Sequence, residues 1–308
     1  MTSSEKTTVY QVITDRILTL LDSGIVPWRK GWTGGRTGNL PRNIRGRAYR
    51  GINTWLLLSL GYENPYFLTY KQAAELGGKV RAGEKGMSVI LWLPREYQDT
   101  DAETGKVKTK RVLTLRYYTV FNIEQTEGCK FPKTVQASLE PNEVVAVPEV
   151  VAIEAAEAIL AGYKDGPIVT FDGNGRAFYV PREDSIHLPK RESFVSASAY
   201  YNTRFHEMSH STGHESRLKR DIMNHFGSHD YGVEELTAEF SAAFLASMAG
   251  LEPDVIDNSA AYIASWKSTI KADPKLVITA AGRAQKSADY ILGEQVAVEA
   301  TEEQEVAA

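Results

Sequence analysis

The sequence predicts an α+β protein in two parts: a small N-terminal α+β domain and a mainly helical C-terminal domain with a small edge sheet. Three observations predict this. The 308 residues allow roughly one to three domains of ~100–200 residues each. The first part carries β-branched and aromatic runs of alternating polarity, whereas the second is dominated by apolar residues at helical spacing. Between them, "TVQASLEPNEVVAVPEV" is poor in aromatics and holds two prolines. The expected bounds are residues 1–136, a linker at 137–149, a second domain at 150–293 and an acidic, disordered tail at 294–308.

Each element has its own signal. In "VYQVITDRILTLLDSG", Val9, Val12, Ile13, Ile17, Leu20 and Leu21 share a helical face that stops at Gly24. The Gly-, Arg- and Trp-rich "IVPWRKGWTGGRTGNLPRNIRGRAYRG" has no period and reads as loop. "INTWLLLSLGY" reads as a buried helix, and "TYKQAAELGGKV" as a short helix capped by Thr69 and ended at Gly77. "SVILWLPREY" and "RVLTLRYYTVFNI" read as strands around the polar tip "QDTDAETGKVKTK". In the second part, "VVAIEAAEAILAGY" is helical and "PIVTFDGNGRAFYVPREDSIHLPKRESF" gives short strands and turns. "SASAYYNTRFHEMSHSTGH" is a helix opened by a Ser cap, and "GVEELTAEFSAAFLASMAG" is a helix ended at Gly250. Two more helices follow, broken near Pro274.

Composition narrows the functional classes. Hydrophobic residues make up 43% and charged residues 24%, ordinary globular usage. The single Cys129 excludes an intramolecular disulfide framework. No basic start with an apolar core opens the chain, and no run approaches the ~18 apolar residues of a membrane span. A cytoplasmic protein without a membrane partner is expected. The net charge of −4 is unevenly distributed. Residues 1–136 hold 21 Lys and Arg against 12 Asp and Glu, and the remainder holds 14 against 27. A basic half of this kind implies an anionic partner.

The strongest chemical signal is "FHEMSH". His206 and His210, four apart on a helix, project from one face. Two imidazoles so placed suit zinc, which in catalytic sites takes three protein ligands and keeps one open position. Glu207, beside the first histidine, is placed to take a proton from a water whose pKa the metal lowers to about 7. Two unrelated histidines on one helix would give the same pattern, so the third ligand matters. Two schemes compete for it: in a metzincin-like register Gly213 fits, but Ser216 stands where a third histidine belongs and His214 is out of register, and a glutamate from a later helix is favoured. The later helix offers "EELTAE", with Glu235 and Glu239 on one face. Glu235 is the expected third ligand and Glu239 the carboxylate that orients a ligand histidine; the reverse assignment uses the same face. Glu234 is expected to be solvated, and His214, His225 and His229 to lie at the surface or on the substrate side. Zinc is the expected cofactor, with manganese or another divalent transition metal open. Ser185–Leu188 in "DSIHLP" is a candidate edge strand for pairing with an extended peptide.

No acidic residue lies between Asp22 and Glu63. That window interleaves Arg29, Lys30, Arg45, Arg47 and Arg50 with Trp28, Trp32 and Tyr49, and "KVRAGEKG" adds Lys79, Arg81 and Lys85. Cations that follow phosphates and aromatic faces that stack on bases are how single-stranded nucleic acid is held. No zinc-finger, helix-turn-helix or RNA-recognition signature accompanies them, so low sequence specificity is expected.

Longer stretches add a family resemblance. "VPWRKGW", "NIRGRAYRGIN", "FLTYKQAAELGGKVRAGEKG" and "YYTVFNIEQTEG" resemble the N-terminal domain of ArdC-type antirestriction proteins of conjugative plasmids. "IHLPKRESF", "YYNTRFHEMSHSTGHESRL" and "EELTAEFSAAFL" are similar to their C-terminal domain, and only the acidic tail lies outside the resemblance. The resemblance implies a domain that binds single-stranded DNA, and a zincin-like metallopeptidase domain similar to SprT-type proteases. It further implies protection of incoming plasmid DNA from restriction, with a protein substrate or a component of the restriction system as a possible second partner. The N-terminal domain is also similar to that of certain plasmid primases, although no primase active-site motif is present. Two other classes compete. A binding-only protein would protect DNA by covering it, with a structural or silent metal site. A nuclease would gather carboxylates around Mg²⁺ rather than two histidines and a glutamate.

Binding of single-stranded DNA by this basic half is expected to weaken steeply with salt, through release of counterions. Equal affinity at low and high salt, measured by fluorescence anisotropy, would remove the electrostatic footing of the reading.

Overall fold

The computed structural model describes residues 8–28, 40–100, 107–139, 149–172, 175–223, 228–251 and 260–294. Arg29, Lys30, Trp32 and His225 lie outside the described residues, as does the tail beyond residue 294.

Helix α1 (Val9–Asp22) begins where Thr8 Oγ1 accepts the Gln11 N–H at 3.2 Å, and it buries Ile13, Ile17 and Leu21. Of the expected loop, residues 29–39 lie outside the described residues, and β1 (Arg42–Asn43) interrupts the remainder. Next come α2 (Ile52–Leu58), β2 (Tyr66–Leu68) and α3 (Tyr70–Glu75). The last of these opens on a capping box between Thr69 and Gln72. After β3 (Lys79–Val80), the strands β4 (Met87–Thr100) and β5 (Val107–Asn122) pair in register along their whole length, from Met87 opposite Val120 to Thr100 opposite Val107. They run further into the polar tip than the alternation predicts, because an antiparallel ladder satisfies backbone groups whatever the side chains. β5 also pairs antiparallel with β2, and β2 pairs parallel with β1, giving the order β1-β2-β5-β4. β6 (Thr126–Glu127) pairs with β3.

The expected linker is partly structure. Residues 133–139 form α4 (Lys133–Leu139). Val135 of α4 is fully buried with Ile44, Leu68, Ala73, Val80 and Ile123, so this helix completes a small second core of the N-terminal half. Asn64 Nδ2 ties it down through Ser138 Oγ at 2.9 Å.

In the second half, α5 (Glu149–Gly162) leads into β7 (Ile168–Phe171), β8 (Phe178–Val180) and β9 (Ser185–Leu188), which form a sheet in the order β7-β9-β8. This corrects the expectation for Ser185–Leu188. That strand is central, paired parallel with β7 and antiparallel with β8, and has no free edge to offer a peptide. The edge facing the next helix belongs to β8. Four helices complete the domain: α6 (Ala197–Ser211), α7 (His229–Ala249), α8 (Ala260–Ala272) and α9 (Leu276–Leu292). The cap of α6 is Ser196, whose Oγ accepts the Ala199 N–H at 3.0 Å. α7 ends on Gly250 at φ +72°, the left-handed cap that glycine adopts without a Cβ penalty.

The halves are not separate bodies. One continuous apolar core joins α1 and α2 to α7, α8 and α9. Trp28, expected to stack on bases, is only 2% exposed. Its ring lies edge-on to Phe240 at 4.9 Å and to Trp266 at 6.4 Å, and its Nε1 donates to Tyr262 Oη at 3.4 Å. Trp55 stacks on Phe244 at 4.6 Å. Around this seam, Thr14 Oγ1 donates to the Pro274 carbonyl at 2.7 Å, Gly51 N–H donates to Gln285 Oε1 at 3.0 Å, and Arg50 pairs with Asp289. Fully burying an aromatic ring of this size removes ~150–250 Å² from water, which outweighs any loose stacking role outside. Trp28→Ala is expected to cost about 3–5 kcal/mol of stability, seen as a lower urea midpoint. An unchanged midpoint would contradict the burial of this ring.

Candidate metal centre

The site is built where α6 crosses α7. The i, i+4 spacing brings His206 and His210 to one face of α6, with their Nε2 atoms 3.1 Å apart. From α7, Glu235 faces both: Oε2 is 3.7 Å from His206 Nε2 and Oε1 is 3.6 Å from His210 Nε2. Donors each ~2.0–2.2 Å from one tetrahedral ion lie about 3.4 Å from one another. The three separations bracket that value, so the donor set fits a divalent transition metal. Among the described residues this trio is the group of His, Cys, Asp and Glu side chains arranged to hold an ion. The two imidazoles and one carboxylate favour zinc and its neighbours over Mg²⁺ or Ca²⁺.

One carboxylate that orients a ligand histidine is a residue for which the sequence predicts solvent exposure. Glu234, expected to be solvated, is buried, and its Oε1 lies 3.2 Å from His210 Nδ1. Arg220 grips the same carboxylate, Nε at 3.0 Å and Nη2 at 2.8 Å. Burial alone would raise the Glu234 pKa, but its hydrogen bonds to His210 and Arg220 outweigh this and hold it below the usual carboxylate range. An ionised carboxylate only accepts, so His210 carries its proton on Nδ1 and turns the Nε2 lone pair toward His206 and Glu235. Glu239 lies half-buried one turn beyond Glu235, where its like charge opposes ionisation of Glu235.

Arg220 reaches Glu234 because the chain doubles back tightly after α6. A Cβ on Gly213 would meet Ile222 Cγ2 at 2.4 Å, so any larger residue would push Ile222 aside and loosen this return. Arg220 N–H donates to the Gly213 carbonyl at 3.0 Å, and its Nη2 donates to the Ser209 carbonyl at 2.7 Å. Gly213, noticed in the sequence as part of a metzincin-like register, therefore serves the supporting arginine.

Glu207 lies at 7% exposure beside the trio. Burial pushes its pKa up to about 7; His210 pulls it down, Glu235 pushes it up, and a backbone hydrogen bond from Tyr179 on β8 pulls it down again. Tyr231, one turn before Glu235 on α7, donates its hydroxyl to the Glu235 carboxylate, which burial nonetheless holds above the usual range. Behind β8, Asp184 in the β8–β9 turn receives Arg217 Nη1 at 3.0 and 3.1 Å, and Arg217 Nε donates to Tyr163 Oη at 3.0 Å. Sequence reasoning missed Glu234, Arg220, Tyr231 and Tyr179. Tyr231 and Glu235 share the i, i+4 relation that exposed the two histidines, and Glu234 adjoins Glu235 in the chain; Arg220 and Tyr179 are joined to the site only by the fold.

His214 sits on the turn after α6, bonded to Ser216 Oγ at 2.8 Å, and exposed His229 pairs with Asp230 and Asp273 at the start of α7. The candidate DNA residues scatter. Arg45 and Arg47 are exposed in one turn, and Tyr49 is half-buried against Phe67. Arg50 is drawn to Asp289, Lys79 pairs with Glu127 at 3.1 Å, and Arg81 with Glu84 at 2.7 Å. Lys85 is exposed. Trp28 is core, as described, and Arg29, Lys30 and Trp32 lie outside the described residues.

Metal titration separates these assignments. His206→Ala and Glu235→Ala are expected to abolish stoichiometric metal binding, Glu234→Gln to weaken it about ten- to a hundredfold, and Glu239→Ala, which removes no ligand, to weaken it without abolishing it. Loss of metal in Glu239→Ala with retention in Glu235→Ala would reverse the two roles.

Known proteins share this architecture. A model of the N-terminal domain of the anti-restriction factor ArdC matches residues 7–121, and a zincin-like metallopeptidase model matches residues 154–283. The chain is 38% identical over 299 residues to a DNA primase TraC of Escherichia coli, covering 92% of this chain but 27% of that protein; it thus spans about a quarter of that relative. It is 32% identical to the uncharacterised protein y4eC of Sinorhizobium fredii, covering 96% of this chain and 94% of the other. The crystal structure of the antirestriction protein ArdC from plasmid R388, metal-free, superposes with a TM-score of 0.70 at 37% identity, covering 94% of this chain and 99% of that one. Its Mn(II)-bound form superposes equally, at 36% identity and 93% and 97% coverage. With both domain models matched in order and a solved ArdC covered almost end to end, the chain belongs to the ArdC family of antirestriction proteins.

Proposed function

We propose that this protein binds single-stranded DNA through its basic N-terminal half and shields incoming conjugative plasmid DNA from host restriction in the recipient cytoplasm. In this reading His206, His210 and Glu235 hold a divalent metal, zinc foremost, and Glu207 is the general base of a peptide hydrolase. The convergence of these four side chains at the α6–α7 crossing carries the proposal. The Mn(II)-bound relative supports a divalent ion, and the antirestriction relative supports the biological role. No described helix is long and apolar enough to cross a membrane.

The chain's own residues divide the work. A divalent ion held by the trio would lower the pKa of water and polarise a scissile carbonyl. Glu207, its carboxyl pushed up to about 7, is basic enough to accept a proton near neutral pH and, once protonated, still acidic enough to pass it on to a leaving amine. Glu234 and Arg220 keep His210 in the tautomer that offers Nε2. An extended peptide pairing with the outer edge of β8 would pass Glu207, which already bonds the Tyr179 backbone there.

Glu207→Gln tests the catalytic half of the proposal. The variant is expected to keep metal and single-stranded DNA binding while losing roughly 10²–10⁴-fold in peptide hydrolysis. If antirestriction in cells is undiminished in Glu207→Gln, the protein acts by covering DNA and the metal site is structural or silent for that role.

A further inference from the structure

The aromatic and cationic surface that single-stranded DNA needs is displaced from where the sequence suggests it. Trp28 and Trp55 are sealed in the core, and Arg50, Lys79 and Arg81 are engaged with acidic neighbours. The β4–β5 ribbon supplies what that window lacks. Opposite residues of an antiparallel pair share a face. Ile90 lies opposite Tyr117, Trp92 opposite Leu115, Pro94 opposite Leu113 and Glu96 opposite Arg111, so these side chains follow one another along one face. Ile90 is buried at its base, but Tyr117 is 52% exposed, Trp92 44% and Leu113 63%. Tyr117 and Trp92 are diagonal neighbours, a relation that sets rings ~7–8 Å apart.

We propose that this face of the ribbon, carrying Tyr117, Trp92, Leu113 and Arg111, is the platform on which single-stranded DNA lies, its bases stacked on Tyr117 and Trp92. The inference rests on the single-stranded DNA reading and gives it a site. Charge decides the occupant. Arg95, Lys110, Arg111 and Arg116 project from the ribbon, against Glu96 and Asp99 among the described residues, and Asp99 is consumed by its pair with Lys110. Arg95, Arg111 and Arg116 have no ion-pair partner among the described residues. The ribbon is two strands wide, so arginines on either face act within a Debye length of ~8–10 Å of a bound strand. Arg111 stands on the ring face opposite Glu96, while Arg95, Lys110 and Arg116 alternate to the other face, so the ribbon keeps a net positive charge whose field reaches a strand lying on the rings, and a phosphate chain neutralises it as the bases cover the rings.

The test is an anisotropy titration of the full-length protein with a fluorescein-labelled oligothymidylate. Trp92→Ala/Tyr117→Ala is expected to raise Kd at least about tenfold, the loss of one or more stacked bases, with metal content and melting temperature unchanged. Trp92→Phe/Tyr117→Phe should restore binding, because the rings stack without their polar atoms. Arg111→Ala should lower the salt slope by about 0.7. If the wild type binds and the double alanine variant binds as tightly, the platform is overturned while the DNA reading stands. If that variant keeps its DNA affinity but loses self-association in sedimentation, the face is an interface between copies and the inference is likewise overturned. If the wild type fails to bind the oligonucleotide at low salt, the reading beneath the inference fails and takes the platform with it.

Discussion

The site depends on a buried carboxylate that touches no metal position. Glu234 is held ionised inside the α6–α7 crossing because Arg220 and His210 both bond to it. Breaking a buried pair of this kind by removing one partner costs about 3–5 kcal/mol, so the crossing cannot relax without loss. Everything at the centre follows from that clamp. It sets the His210 tautomer, fixes the ring plane, and leaves Nε2 no direction but toward His206 and Glu235. Glu234 and its sequence neighbour Glu235 thus grip opposite ends of one imidazole, so α7 has little freedom to rotate against α6.

A second constraint is the aromatic seam. Trp28 and Trp55, from the basic half, are buried against Phe240 and Phe244 on α7, the helix that delivers Glu234 and Glu235. Packing at interior density transmits strain, so the N-terminal half is physically continuous with the α7 face behind the metal centre. The domains are distinct in sequence models yet share a core. The opposite charges of the two halves are also partly spent on each other, as Arg50 with Asp289 shows, and not all of the basic surplus is turned toward a partner.

Much of this was legible in the chain. The helices of the second half were readable because 3.6-residue periodicity, Ser caps and glycine stops are local. His206, Glu207 and His210 were readable for the same reason: on a helix, spacing alone places side chains on one face. The β4–β5 hairpin was readable as strands, but its length was not, since ladder pairing carries polar side chains as easily as apolar ones. The reading failed where two distant segments meet. Glu234 looked solvated because nothing nearby in sequence announces that Arg220 will fold back over it, and Ser185–Leu188 looked like an edge because pairing partners on both sides are decided elsewhere. Trp28 looked like a base-stacking ring because a Gly- and Arg-rich neighbourhood says nothing about a pocket made by Phe240, Trp266 and Tyr262.

The sequence by itself determined the α+β composition, the helical presentation of two histidines and a glutamate, and a basic half suited to a polyanion. Each follows from interactions within a few residues or from charge summed over the chain. Tertiary structure alone decided which carboxylate faces the histidines and which supports them, which tryptophans are core, and which aromatic rings remain open to a ligand. Burial is a property of the whole fold: it is set by what the far segments of the chain bring to a residue, and no local pattern encodes that.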